Sequence, residues 1–174
     1  LPTATADGRQ LAVYLNDGTG SKMDYYLDKR VSVGSSVCRK DGRPTSVVQV
    51  TIKNTAPADA ARSLPEYVTG GGNFGVEPGK IKTLLAAYAP ENAIFLGATK
   101  DGKTTPVQTQ ADGGHPVAQL QTLLAPGESL TYRVAFLGEA EFGRAPVSAT
   151  STPGVRSTKT QPLTFSCEDP LAAG

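Results

Sequence analysis

Apolar positions along this chain recur mostly at every second residue in short runs, the signature of strands that bury one face. Residues 46–53 show it most clearly, with Val48, Val50 and Ile52 on one side and Gln49, Thr51 and Lys53 on the other. Residues 130–136 repeat the pattern, Leu130, Tyr132, Val134 and Phe136 facing inward and Thr131, Arg133 and Ala135 outward. Just before them, residues 117–124 place Ala118, Leu120 and Leu124 on a common face, and Ala125-Pro126-Gly127-Glu128 reads as the turn of a hairpin. Residues 11–27, LAVYLNDGTGSKMDYYL, predict a second hairpin, strand, Gly-rich turn and strand. In residues 30–38 Val31 and Val33 alternate but Cys38 is out of step, which predicts a bulge near Gly34. Residues 81–89 are almost continuously apolar, as in a strand buried on both faces or a short helix; Pro90, the β-prone residues 94–96 and the Asp101-Gly102 turn favour the strand. Residues 104–110 are polar and predict an edge, and Leu163, Phe165 and Cys167 recover the period of two near the end.

The pattern breaks over residues 54–79. PADAARS predicts one or two helical turns, with Thr55 as N-cap and Pro65 as the stop. The Gly-rich loop that follows, TGGGNFGVEPG, is long for a connection between strands and forms a second candidate surface. Asp-Gly pairs beginning at Asp7, Asp17, Asp41, Asp101 and Asp112 mark turns elsewhere. Sustained helical periodicity and internal repeats are missing. Together these features predict an all-β fold: an enlarged immunoglobulin-like antiparallel β-sandwich of about nine or ten strands, with at most one short helix near 57–64. Residues 1–9 read as a linker, 10–168 as a single sandwich domain and 169–174 as a flexible tail.

Composition narrows the class. With 174 residues and 39% hydrophobic content the chain can bury one good core. A formal charge of +1 from 17 basic and 16 acidic residues, with no basic stripe, speaks against a nucleic-acid partner. No apolar run is long enough for a transmembrane segment, and the first residues, LPTATADGRQ, lack the regions of a signal peptide. The chain therefore reads as a segment of a longer precursor, or a mature form whose targeting signal has been removed. Cys38 and Cys167 are too far apart for a metal site or a CxxC motif. A disulfide joining the two ends of the domain is the preferred reading over two buried free thiols, and it implies an oxidising, extracytoplasmic compartment.

Catalytic chemistry lacks its parts. The single His115 precedes Pro116 in a Gly-rich turn and reads as an exposed turn residue; no G-x-S-x-G elbow occurs, and Ser35 and Ser36 have no evident base. No catalytic, cofactor-binding or metal-binding residue is assigned. Asp17, Asp24 and Asp28 with Asn16 bring calcium to mind, but the spacing of a calcium loop is absent. GGGNFG matches G-x-G-x-x-G without the strand and helix that the dinucleotide motif requires. Tyr25, Tyr26, Tyr67, Phe74 and Tyr88 offer stacking faces for sugars, although the chain has no Trp. Strand alternation turns one of Tyr25 and Tyr26 outward, so the candidate contact surface is Lys22, Asp24, Tyr25 and Tyr26.

NDGTGSKMDYYLD (16–28), LPEYVTG (64–70), LLAAYAPENAIF (84–95) and LLAPGESLTYRVAF (123–136) resemble the C-terminal part of a family of large exported actinobacterial proteins known only as a domain of unknown function. The resemblance covers residues 10–137 and extends less closely to 167. It implies export, attachment to the cell envelope through an N-terminal region beyond this chain, and a β-sandwich module; it transfers no catalytic residue. The resulting expectation is a non-catalytic extracytoplasmic module of a larger envelope protein, structural or protein-interacting. The alternative is a carbohydrate-binding module for cell-wall or extracellular glycan.

Overall fold

A computed structural model describes residues 2–156 and 159–172. Its strands are β1 (Ala4–Thr5), β2 (Gly8–Asp17), β3 (Leu27–Ser36), β4 (Thr45–Asn54), β5 (Ile81–Tyr88) and β6 (Ile94–Lys100), followed by β7 (Lys103–Thr104), β8 (Gln108–Asp112), β9 (His115–Leu124), β10 (Ser129–Leu137), β11 (Val147–Ser151) and β12 (Gln161–Pro162). Helices α1 (Ala60–Ser63) and α2 (Glu66–Thr69) sit in the long connection, and 3₁₀ turns occur at Met23–Tyr26 and Ala140–Phe142. One sheet has the order β1-β2-β5-β9-β8 with β11 beside β2; the other runs β12-β3-β4-β10-β6-β7. This is the all-β sandwich that the alternation predicts, with twelve strands among the described residues in place of nine or ten.

The core lies between the sheets, built from the inward rows Leu11, Val13 and Leu15 of β2, Val31 and Val33 of β3, Val48, Val50 and Ile52 of β4, and Leu130, Tyr132, Val134 and Phe136 of β10. The inward and outward sets of β4 and β10 are those the sequence predicts. Outward-facing Val47 and Ala135 are buried as well, because the C-terminal segment lays Leu171 over them. A third cluster, Met23, Ala56, Ala60 and Ile81, seats the helical connection against one end of the sandwich. Buried Asn54 holds that end together, donating to the carbonyls of Gly79 (2.9 Å) and Leu124 (3.1 Å) and accepting from the Ala56 N–H (2.9 Å).

Both predicted hairpins are instead crossovers between the sheets. β2 pairs with β5 while β3 pairs with β4; β9 pairs with β5 and β8 while β10 pairs with β4 and β6. Alternation identifies the buried face of each strand, and two such faces satisfy each other equally well across a core or along an edge. The true tight hairpins are β6–β7, closed by Asp101-Gly102 with φ of 49° and 79°, and β8–β9, closed by Gly113-Gly114 with φ of 57° and 87°. Positive φ at both central positions matches the twist of the flanking strands.

Other expectations are corrected by packing. β3 pairs with β4 without a register shift from Leu27 to Ser36, so Gly34 marks no bulge. It is glycine because a side chain there would strike the Leu163 carbonyl, where β12 runs alongside β3. Two sheet contacts are parallel, β11 with β2 and β12 with β3, so the sandwich is not wholly antiparallel. Pro65 stops α1 but also opens α2, and Thr55 does not cap α1: its hydroxyl donates to the Tyr26 carbonyl at 2.8 Å. The presumed linker contains β1, which pairs Ala4 with Arg9 and Thr5 with Gly8. Of the presumed tail, Asp169 accepts from Arg133 at 2.6 Å and Leu171 and Ala172 are buried. His115 is buried rather than exposed, its Nδ1 3.0 Å from the Ala89 carbonyl oxygen.

Cys38 and Cys167 form the predicted disulfide, with Cα atoms 5.4 Å apart. It pins the C-terminal segment to the end of β3. Such a bond fits an oxidising, extracytoplasmic environment. No helix among the described residues is long and apolar enough to cross a membrane.

Candidate functional site

Two cations occupy core-facing positions, one at each end of the sandwich. Arg9 continues the row Leu11, Val13, Leu15 on β2, and Lys29 continues the row Val31, Val33 on β3. Both are buried, and burial holds each group below its ordinary pKa. Their surroundings differ. Around Arg9 the inward rows of β3 and β4 end in Ser35 and Ser46, whose hydroxyls accept from the guanidinium at 2.9 and 3.1 Å, and the Ala145 carbonyl accepts at 2.9 Å. Arg9 is thus a clamp between the two sheets. Lys29 is 8% exposed and has no hydrogen-bond or ion-pair partner among the described residues.

Lys29 lines a recess of about 690 Å³ at the end of the sandwich where β2 finishes and β3 begins. Leu15 and Leu27 form its apolar floor, Lys22, Asp24 and Tyr25 stand at one side, and Thr152, Pro153, Gly154 and Val155 close the other. The Leu15 N–H donates to the Thr152 hydroxyl at 3.0 Å and anchors that far wall. Three of the four expected contact residues therefore meet in one place. The fourth, Tyr26, turns into the cluster of Met23 and Ala60 and stacks edge-on against Tyr25 with ring centroids 5.2 Å apart. Tyr25 is the outward member at 61% exposure. The reason is a 3₁₀ turn rather than strand alternation.

The second candidate surface adjoins the first. The Lys22 N–H donates to the Val68 carbonyl at 2.9 Å, and the Phe74 ring covers Gly20, so the Gly-rich loop after α2 packs on residues 18–22. GGGNFG follows a helix and opens none, as its surroundings in the sequence imply. Asp17 caps its own turn, its Oδ1 accepting from the Thr19 N–H and hydroxyl, both at 2.8 Å. No group of three metal-ligating side chains occurs among the described residues.

Asp24 is open to solvent, yet partial desolvation in the recess and then the like charge of Asp17 push its carboxyl up to about 6. The folded state thus holds this proton more tightly than the unfolded chain, so the contribution of Asp24 to stability falls as pH rises from the ordinary carboxylate range through about 6. A carbon-detected NMR titration is expected to give a midpoint near 6, and Asp17→Asn to lower it without restoring the ordinary value, since desolvation is the larger cause.

Lys29 was outside the expected contact set, although its signal is visible: extending the Val31, Val33 alternation back by two residues puts a lysine in an inward row. Partial desolvation of an unpaired ammonium opposes folding, so Lys29→Met is expected to stabilise the free domain near pH 7, by less than about 1 kcal/mol because the recess leaves the group in contact with water. The sign with pH follows from its lowered pKa: wild-type stability rises as pH passes through that value and the lysine loses its proton, so the advantage of Lys29→Met shrinks in alkali. Urea melts at the two pH values measure this directly.

No family model matches the chain and no curated protein is similar to it at a meaningful level. Among solved structures, a candidate nutrient binding protein from Legionella pneumophila shares 10% identity at a TM-score of 0.39, over 74% of this chain and 43% of that one. A two-domain M1 zinc metallopeptidase bound to L-tryptophan shares 16% at 0.32, over 70% and 23%, and an M1 zinc metallopeptidase from Deinococcus radiodurans 12% at 0.27, over 79% and 20%. This chain spans less than half the length of each, and at these scores the likeness carries no functional information.

Proposed function

We propose that this domain is a non-catalytic, extracytoplasmic module of a larger exported envelope protein, and that it binds a partner in the recess at the Lys29 end of its sandwich. The observation that carries the reading is Lys29, which has no hydrogen-bond or ion-pair partner among the described residues and lines the same recess as the exposed Tyr25 ring, an arrangement that a bound counter-charge would relieve. The disulfide supports the compartment. The ligand-sized volume of the recess, within the roughly 300–1,000 Å³ typical of small-molecule sites, favours a glycan chain over a flat protein surface as the occupant. Envelope polysaccharide and envelope protein fractions, offered separately to the domain in hydrogen-exchange measurements, test this. Slowed exchange confined to residues 21–29 and 152–155 is expected. Turnover of polysaccharide or peptide substrates, lost in Asp24→Asn, would replace the reading with a hydrolase.

A further inference from the structure

The recess has a chemical bias beyond being open. Its lining carries Lys22 and Lys29 with Asp24, on which Asp17 also acts, and the most buried of the lining charges is the lysine without a counter-ion. An ammonium offers three donors and no acceptor. Leu15 and Leu27 below it are apolar, so no wall of the recess supplies the missing negative charge at that depth. The Nζ atom sits 3.6 Å from where a side chain on Gly154 would begin, an ordinary contact distance that places residue 154 directly beside the ammonium. At the mouth, Tyr25 presents its ring to solvent, steadied edge-on by Tyr26.

We propose that the recess binds a carboxylate-bearing oligosaccharide, the Lys29 ammonium receiving the carboxylate of one sugar and the Tyr25 ring taking the face of a neighbouring one. The proposal rests on the reading of this recess as the binding surface and adds the class of ligand. A uronate supplies at once what the site lacks, an acceptor with formal negative charge for Lys29, together with hydroxyls that the Asp24 carboxylate and the Thr152 hydroxyl can engage. A neutral sugar can accept hydrogen bonds from Lys29 but supplies no counter-charge. An acidic peptide satisfies the charge but not the ring.

Calorimetric titration of the domain with tri-galacturonate, maltotriose and tri-glutamate separates these cases. Tri-galacturonate is expected to bind, with maltotriose and tri-glutamate each weaker by about tenfold or more, and Lys29→Met to weaken tri-galacturonate by at least roughly tenfold, the effect of a hydrogen bond to a charged group. Lys29→Arg should recover part of that loss, and Tyr25→Ala should weaken binding several-fold while leaving the melting transition in place. An unchanged affinity in Lys29→Met, or no binding of tri-galacturonate, overturns the proposal. Equal binding of maltotriose removes the carboxylate and leaves the recess as a neutral-sugar site. Lys29-dependent binding of tri-glutamate at equal or higher affinity removes the saccharide and leaves the recess as a site for acidic peptides.

Discussion

Replacing Cys38 and Cys167 together by serine is expected to destabilise the domain by about 5 kcal/mol and lower its melting temperature by about 10–20 °C. The bond closes a loop across a sequence separation of 129, and in the chain-entropy treatment a crosslink of that length restricts the unfolded chain by about this much. A domain of this size loses roughly 2–4 °C of melting temperature per kcal/mol. The location of the bond adds a spatial prediction. From Gln161 onward the C-terminal segment is held by a short parallel pairing with β3, the Arg133–Asp169 ion pair and the burial of Leu171 and Ala172. None of these contacts belongs to the main core. Hydrogen exchange in the double variant should therefore quicken first at residues 161–172 and at the outward positions Val47 and Ala135, which the segment covers, while Val48, Val50 and Val134 stay protected. Equal melting temperatures for the variant and the wild type would contradict this, as would unfolding without a local phase.

Tyr132→Ala is the second large effect, expected at about 3–5 kcal/mol, or a fall of roughly 6–20 °C in melting temperature. Tyr132 is among the largest fully buried side chains, in the inward row of β10. Its hydroxyl donates across the core to the Gln121 carbonyl on β9 at 3.3 Å, so one side chain fills the space between the sheets and ties them together. Tyr132→Phe separates the two roles. It keeps the ring and gives up only the hydrogen bond, at a cost of about 1 kcal/mol. Comparable losses for both variants would mean that the hydroxyl, and not the packed ring, carries the stability. Burial also raises the pKa of this phenol above its ordinary value, so the hydroxyl stays protonated and able to donate through the neutral range.

The residues were legible in the sequence wherever a side chain's own neighbours decided its fate. Val48, Val50, Ile52 and the inward row of β10 follow from a period of two, and the turn glycines at 102 and 113 follow from backbone sterics. Partners were not legible by the same means. The strands on either side of residues 125–128 look like a hairpin because their buried faces match, yet they face one another through the core instead of sharing an edge. Gly34 misled for a related reason: its cause, the Leu163 carbonyl, lies far along the chain. His115 read as exposed from its glycine neighbours, whereas its partner, the Ala89 carbonyl, lies just past the end of β5, far from it in sequence.

The Lys29 end shows the same division. Lys22, Asp24 and Tyr25 stood out because they lie together in sequence, and they do line one recess. Its far wall, 152–155, comes from a Ser, Thr and Pro-rich stretch with no local signal, and Lys29 declares itself only when its strand is known to face inward. The contrast with Arg9 turns on neighbours as well. Ser35 and Ser46 end their rows with hydroxyls that make one buried cation structural, and no such groups meet the other.

The central claim, that partners enter at the Lys29 end of the sandwich, is tested most directly by photo-crosslinking with p-benzoylphenylalanine at position 25 and, as a control, at position 142 near the Arg9 end, in cells that produce the protein. Position 25 is expected to give a discrete adduct that Lys29→Met abolishes, and position 142 none. An adduct from position 142 with none from position 25, or an adduct at 25 indifferent to Lys29, would contradict it.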